Sequence, residues 1–297
     1  MSDVVAIVVT YHPNLVALKT LLDATLAQIN CAVVIDNGSD IAVAQWLNEN
    51  YPAVTCISLP ENFGIAAAQN KGLDWAIKHG ANYALLFDQD SVPAPAMTQH
   101  LVRVFREESS KGIRIAAVGP KYDDVRHPNA SPFVAVEGVR IVRRNCDDDN
   151  GVVPVDFVIA SGSLIPLAAL RHVGMMNENL FIDYVDVEWG LRARKKGYFS
   201  FGVCAAHMMH TLGDDPVYFL GRRFTLHSPL RHYYLFRNAI WLYVYSSLPA
   251  RWKIADGLRL IVKFVLYCML GRPRFAHFKM MSLGLFHGLI GRLGRIK

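Results

Sequence analysis

Over its first 120 residues the sequence alternates short β-branched runs with helical patterns, and this alternation commits the chain to βαβ units and a mostly parallel sheet. Val4–Thr10, Ala32–Asp36, Val54–Leu59, Tyr83–Phe87 and Ile115–Gly119 read as strands. Asn14–Ile29, Ile41–Asn50, Gly64–His79 and Ala94–Glu108 read as helices between them, several introduced by the Asn, Asp or Pro that starts a helix. Such a sheet is expected to carry helices on both faces. With 52% hydrophobic and 19% charged residues in a chain of 297, disordered, collagen-like and disulfide-scaffold classes are excluded.

Residues 121–155 change character: clusters of Asp, Pro, Asn and Gly surround two modest strand candidates, Phe133–Val136 and Val139–Arg143, which reads as a surface hairpin or a flexible excursion. A strand follows at Val155–Ile159, then helices near Leu167–His172 and Val185–Lys196 and a strand at Phe199–Cys204. From Leu230 the pattern is helical. Leu258, Ile261, Val262, Val265, Leu266 and Met269 form one apolar stripe, and Phe278, Met281, Leu285 and Leu289 a second. Asp256, Arg259 and Lys263 interrupt the first and Gly271-Arg272-Pro273-Arg274 separates the two, which leaves no uncharged run of about 18 residues for a membrane span, so the stripes are expected to lie on a membrane, pack on the domain or join a second copy in a homo-oligomer. Residues 251–297 hold ten Lys/Arg against Asp256 alone, a net +9, while residues 1–250 sum to −3.

Five scattered cysteines, odd in number and without a C-x-x-C pair, argue against disulfides or a thiolate metal site and read as a reducing compartment. The start, Met1-Ser2-Asp3 and an apolar run, lacks the basic n-region of an export signal. The expected division is an α/β domain over 1–225 and a helical, basic extension over 226–297.

The chemistry begins at Phe87-Asp88-Gln89-Asp90, a D-x-D where a hydrophobic strand stops. Two carboxylates so placed can share a hard divalent cation and leave its other positions to phosphate oxygens. Asp36 ends the second strand, on the edge where open α/β sheets bind ligands, and suits a nucleobase N–H. Asn62 through Gly72 opens a helix with glycine and small residues, which lets a ligand approach the backbone.

In this order, Thr10-Tyr11, Asp36-Asn37-Gly38-Ser39-Asp40, the run from Asn62 to Gly72 and the D-x-D resemble the nucleotide-sugar half of a family 2 glycosyltransferase of the GT-A fold. The resemblance implies that Thr10, Tyr11 and Asp36 hold base and ribose, and that Asn62, Ala66 and Asn70 line the diphosphate-sugar cleft. Asp88 and Gln89 then belong to the donor site, and Asp88 and Asp90 to Mg²⁺ or Mn²⁺, with His210 as a third ligand. Ser161-Gly162 resembles the family's segment beside the donor sugar, and Phe181 through Arg192 its acidic acceptor motif. Asp186 aligns with the catalytic base, which an inverting transfer needs opposite the departing nucleotide. Asp183, Glu188 and Trp189 are placed in the acceptor pocket, and Arg231 and Arg237 on a diphosphate.

The Phe181–Trp189 and Arg231–Asn238 segments are more specifically similar to bacterial rhamnosyltransferases of surface polysaccharide synthesis. The resemblance thus implies transfer of a hexosyl group, L-rhamnose from dTDP-rhamnose favoured over a UDP- or GDP-sugar, onto a glycan or polyprenyl-linked acceptor. It implies no nucleic-acid partner and a peripheral place on the cytoplasmic face of the inner membrane. A sugar-1-phosphate nucleotidyltransferase would require a Gly-rich basic loop after the first strand, which Thr10-Tyr11-His12-Pro13-Asn14 lacks. A non-catalytic membrane protein would leave the edge placement of Asp36, Asp88, Asp90 and Asp186 unexplained.

Overall fold

Strand β1 (Val4–Thr10) is buried throughout and feeds two cores: Val4, Ala6 and Val8 face one side, Val5, Ile7 and Val9 the other. That is the period-2 alternation of a strand covered on both faces. In the computed structural model, which describes residues 3–124, 127–131, 133–148, 150–210, 216–219 and 222–296, the chain continues through α1 (Leu15–Leu26), β2 (Ala32–Asp36), α2 (Val43–Asn50), β3 (Thr55–Ser58), α3 (Ile65–Lys78), β4 (Tyr83–Asp88), β5 (Ser91–Pro93) and α4 (Met97–Ser110). Next come β6 (Ile115–Asp124), β7 (His127–Ser131), β8 (Phe133–Glu137), β9 (Arg140–Arg144), β10 (Val152–Val155), β11 (Leu164–Pro166) and α5 (Leu167–Val173). A 3₁₀ turn (Glu178–Leu180), α6 (Val185–Lys195), β12 (Phe199–His210), β13 (Pro216–Phe219) and β14 (Arg222–Thr225) lead to α7 (Pro229–Tyr245), α8 (Ala250–Leu270) and α9 (Arg274–Leu289).

The main sheet runs β10-β12-β6-β11-β4-β1-β2-β3, with β5 beside β12 and β7 beside β6. Pairing is parallel among β1, β2, β3 and β4 and between β6 and β12, while β5, β10 and β11 run antiparallel to their neighbours. Leu18, Leu22, Leu47 and Leu101 of α1, α2 and α4 cover one face, and Ala68, Leu73, Leu170 and Trp189 of α3, α5 and α6 the other. Helix α3 lies unusually close to β1: a Cβ on Gly72 would stand 2.2 Å from Ile7 Cγ2. The expected α/β architecture with a mostly parallel sheet is present, as is the β8–β9 hairpin.

Local reading failed elsewhere. The strand placed at Val155–Ile159 lies at Val152–Val155, because the antiparallel partner β12 fixes its register. The short β11 has no sequence signal, being held between β4 and β6, and β12 runs on past Cys204, through an irregularity, to His210. Cys146 and Cys204 form a disulfide with Cα atoms 5.8 Å apart, overturning the expectation that the cysteines stay unpaired. The two are 58 positions apart in sequence, so spacing carries no hint of it, and the cysteines no longer support a reducing compartment.

Helices α7, α8 and α9 form a third core with the α/β body. Phe236, Leu242, Trp252, Leu260 and Met281 pack with Tyr184 and Leu191. Of the apolar stripe of α8 Leu266 is buried and the rest is left exposed: Ile261 is 66% and Leu258 58% exposed. Of the second stripe, Met281 is buried whereas Phe278 and Leu289 are exposed. Among the described residues no helix is long and apolar enough to cross a membrane.

Candidate active site

Parallel register brings the strand ends together, Thr10 opposite Asp36 and Val9 opposite Asp88. Over this edge opens a cavity of about 650 Å³, lined by Thr10, Tyr11, Asn37 and Asn62 on one side, Asp88, Gln89 and Asp90 at the end of β4, and residues 181–186, His227 and Arg231 on the other. Asp36 sits just behind, its Oδ1 accepting from Thr10 Oγ1 at 3.2 Å and from the Ser39 hydroxyl at 2.5 Å. Gln89 clasps the first loop, accepting from Tyr11 N at 2.8 Å and donating to Tyr11 O at 3.3 Å. Asn62 Oδ1 accepts from Gly64 N and from Asn37 Nδ2, fixing the turn into α3. Gly64, at φ +89°, packs against Phe181, where a Cβ would stand 2.5 Å from the carbonyl oxygen. This contact joins the nucleotide half to the loop that carries Asp186.

Asp186 is in the first turn of α6 and lines the cavity. Burial pushes its carboxyl up to about 6; the N–H groups of Val187 and Ala160 pull it down, at 2.8 and 3.2 Å, and the charge of Asp88 adds to the rise. A carboxylate poised there can accept a hydroxyl proton near neutral pH. The preceding loop is backbone-strained: Phe181, Asp183 and Tyr184 all have φ between +63° and +67°. Asn238 Nδ2 holds it by donating to the carbonyls of Leu180, Ile182 and Asp183. Strain of about 1–3 kcal/mol per residue persists where surrounding structure dictates it, and such residues cluster at functional sites.

Several residues expected in the cleft hold it from outside. Ala66 is buried in the core under α3, and the Asn70 amide bonds both ways with the Met176 backbone and donates to Glu178. The Ser161 hydroxyl accepts from Asp88 N at 3.0 Å and contacts Ser91 Oγ at 2.6 Å, while Gly162 N donates to Leu86 O. Glu188 grips Arg192, which donates to the carbonyls of Val173 and Met175, and the Trp189 indole donates to Gly174 O. Arg237, fully buried, donates to the carbonyls of Asn179, Leu180 and Gly294 and to Asn238 Oδ1. Glu188, Trp189 and Arg237 are therefore not placed to touch an acceptor. Arg231 is: it lines the cavity, with Nε and Nη2 both 3.3 Å from Asp183 Oδ1.

Asp88 and Asp90 supply hard oxygen donors at the cavity wall, and no group of three His, Cys, Asp or Glu side chains suited to a metal occurs among the described residues. Two carboxylates fit Mg²⁺ or Mn²⁺ provided ligand oxygens complete the shell, as a diphosphate does. His210 stands in register with Ser91, next to Asp90, and its side chain lies outside the described residues.

Residues 6–157, just over half of the chain, match Glycosyl transferase family 2. The chain belongs to that family. It is 30% identical over 296 residues to the dTDP-rhamnosyl transferase RfbF of Shigella flexneri, covering 99% of this chain and 97% of that protein. It is 24% identical to the N-acetylglucosaminyl-diphospho-decaprenol L-rhamnosyltransferase of Mycobacterium tuberculosis (strain CDC 1551 / Oshkosh), over 95% and 99% of the two chains. Staphylococcus aureus TarS 1–349 in complex with UDP-GlcNAc superposes with a TM-score of 0.60 at 15% identity, over 97% of this chain and 81% of that one; the chain spans 44% of the longer TarS structure. These structural likenesses establish a shared GT-A fold.

In this glycosyltransferase, sequence reasoning did not single out several residues that line the cavity, Asn37, Gln69 and His227 among them. Asn37 stood in plain view in the Asp36–Asp40 run; Gln69 sits one helical turn after Ile65, which also lines the cavity, and only the i, i+4 relation marks it.

Proposed function

We propose that the enzyme transfers L-rhamnose from dTDP-rhamnose, with inversion, to a hydroxyl of a glycan or polyprenyl-linked oligosaccharide in cell-surface polysaccharide synthesis. What carries the reading is one cavity that holds the D-x-D at one end and Asp186, with its raised pKa, beside it. Full-length similarity to a dTDP-rhamnosyl transferase supports the donor, and the mycobacterial relative supports a diphosphate-linked lipid acceptor. Thr10, Tyr11 and Asn37 hold the nucleoside end. Asp186 takes the acceptor hydroxyl proton as the acceptor oxygen bonds the anomeric carbon and the bond to the nucleoside diphosphate breaks. Asp88 and Asp90 would hold Mg²⁺ or Mn²⁺, which supplies neutralisation of the leaving diphosphate. Arg231 and Asp183 face the acceptor. The placement we favour is the cytoplasmic face of the inner membrane, whose anionic leaflet suits the +9 segment.

The deciding experiment offers dTDP-rhamnose, UDP-glucose, UDP-GlcNAc and GDP-mannose, each with Mg²⁺ or Mn²⁺, and measures released nucleoside diphosphate. Release from dTDP-rhamnose, lost on chelation and in Asp90→Ala, is expected. Preferential release from a UDP- or GDP-sugar would overturn the donor, and full activity in chelator would overturn the metal.

A further inference from the structure

Four buried side-chain atoms among the described residues have no hydrogen-bond partner: Thr25 Oγ1, Arg144 Nε, Gln69 Oε1 and Asp183 Oδ2. Two of these, Gln69 Oε1 and Asp183 Oδ2, belong to side chains that line the active-site cavity, and both are acceptors. Leaving a buried acceptor unpaired costs about 1–3 kcal/mol, so such atoms are rare and ask for an explanation. Ligands rich in hydroxyl donors provide one.

Gln69 is 3% exposed and sits on α3, on the stripe that also brings Ile65 to the cavity. It also lines a small recess of about 20 Å³ behind the cavity, shared with Ala160, Ser163, Asp186 and Trp189. That recess has room for a single water at most. Helix α3 belongs to the half of the chain that carries Asn62 and the D-x-D, the half read as the donor site, so a ligand atom met there would be one of the donor. A neutral carboxamide is also the acceptor that disturbs Asp186 least: a carboxylate here would add a second negative charge to that of Asp88.

We propose that Gln69 is a sugar-recognition residue, its Oε1 accepting a hydrogen bond from a ring hydroxyl of the transferred sugar beside Asp186. This rests on the reading of the cavity as a nucleotide-sugar site and goes beyond it, because it assigns one side chain to the selection of the sugar.

The test compares wild type with Gln69→Met, close in size but without an amide, using the nucleotide sugar that supports turnover and its monodeoxy analogues. On the parent donor Gln69→Met is expected to lower kcat/KM about 10–100-fold, in line with loss of one buried hydrogen bond. On one deoxy donor, which lacks the hydroxyl that Gln69 reads, the two proteins should be equal. Gln69→Asn, which keeps the amide but withdraws it by one carbon, should behave like Gln69→Met and covers a failure of Gln69→Met to fold. An equal loss on the parent and on every analogue would overturn the proposal. So would unchanged kcat/KM with a lowered Tm, the signature of an amide that merely holds a water in the recess. If the parent donor proves to be something other than dTDP-rhamnose, the donor assignment falls while the deoxy series of the true donor still decides Gln69. Absence of both binding and turnover for every nucleotide sugar would sink both.

Discussion

Asp186 meets two demands on a general base: it reaches the cavity, and burial brings its carboxyl to about 6, where it is ionised at neutral pH yet basic enough to take a proton. The ionised form is the active one, so kcat/KM should rise with pH up to about 6 and level off above it. Asp186→Asn should keep donor affinity and lose about 10²–10⁴-fold in transfer, together with that acid limb. A wild-type profile flat between pH 5 and 8, or near-normal turnover in Asp186→Asn, would assign the role elsewhere, with Asp183 first to examine. The D-x-D, Thr10, Tyr11, Asn62 and Asp186 were legible because strand ends and a helix start dictate where they point. Glu188 was misread for the converse reason. Two residues along α6 it has turned about 200° and meets Arg192 instead of the cavity, an orientation that residue type and spacing do not disclose.

Helix α7 separates two arginines that look alike in sequence. Arg231, 40% exposed at its side chain, pairs with Asp183 across the cavity, whereas Arg237, six residues on and about 240° further round, satisfies carbonyls of the strained loop. Arg237→Lys removes a planar fork that an ammonium cannot replace and leaves buried carbonyls unpaired, so urea unfolding should show a loss of about 3 kcal/mol or more. Arg231→Ala should cost less stability than Arg237→Lys, because the Arg231 side chain is 40% exposed and leaves no buried carbonyls unpaired, but should raise the acceptor KM. Equal stability of the two variants would show that Arg237 does not hold the loop. The elements follow the same logic. Helices with caps and strands with continuous apolar runs were readable, while β11, the extension of β12 and the Cys146–Cys204 bond depend on partners far along the chain.

At the scale of the molecule, the basic C-terminal helices cannot be detached from the enzyme. Tyr184 and Tyr243 both donate to Asp256 of α8, at 2.7 and 2.6 Å, and Arg237 reaches Gly294, so α8 and the chain end brace the loop that leads into Asp186. The opposite side of α8 is left bare. Leu258, Ile261, Val262, Val265 and Met269 are each about half exposed or more, beside an apolar groove of about 530 Å³ shared with Ile240 and Leu285, in a segment of net +9. Exposed apolar area of that extent in so basic a segment suits an anionic lipid surface: a basic residue near such a surface contributes on the order of 1 kcal/mol, and buried apolar area about 25 cal/mol per Å². Packing on the domain covers Leu266 of the stripe and not the other five, and the two occupants to be tested are a bilayer and a second copy of the chain. The full-length protein is expected to co-sediment with phosphatidylglycerol vesicles, less at high salt as the charge attraction is screened. Truncation would disturb the loop that carries Asp186, so the discriminating variant is Ile261→Asp combined with Val265→Asp. It should lose vesicle binding while keeping turnover on a soluble acceptor. A concentration-dependent dimer that the same pair of substitutions dissolves, with no vesicle binding by wild type, would make this face a subunit interface instead.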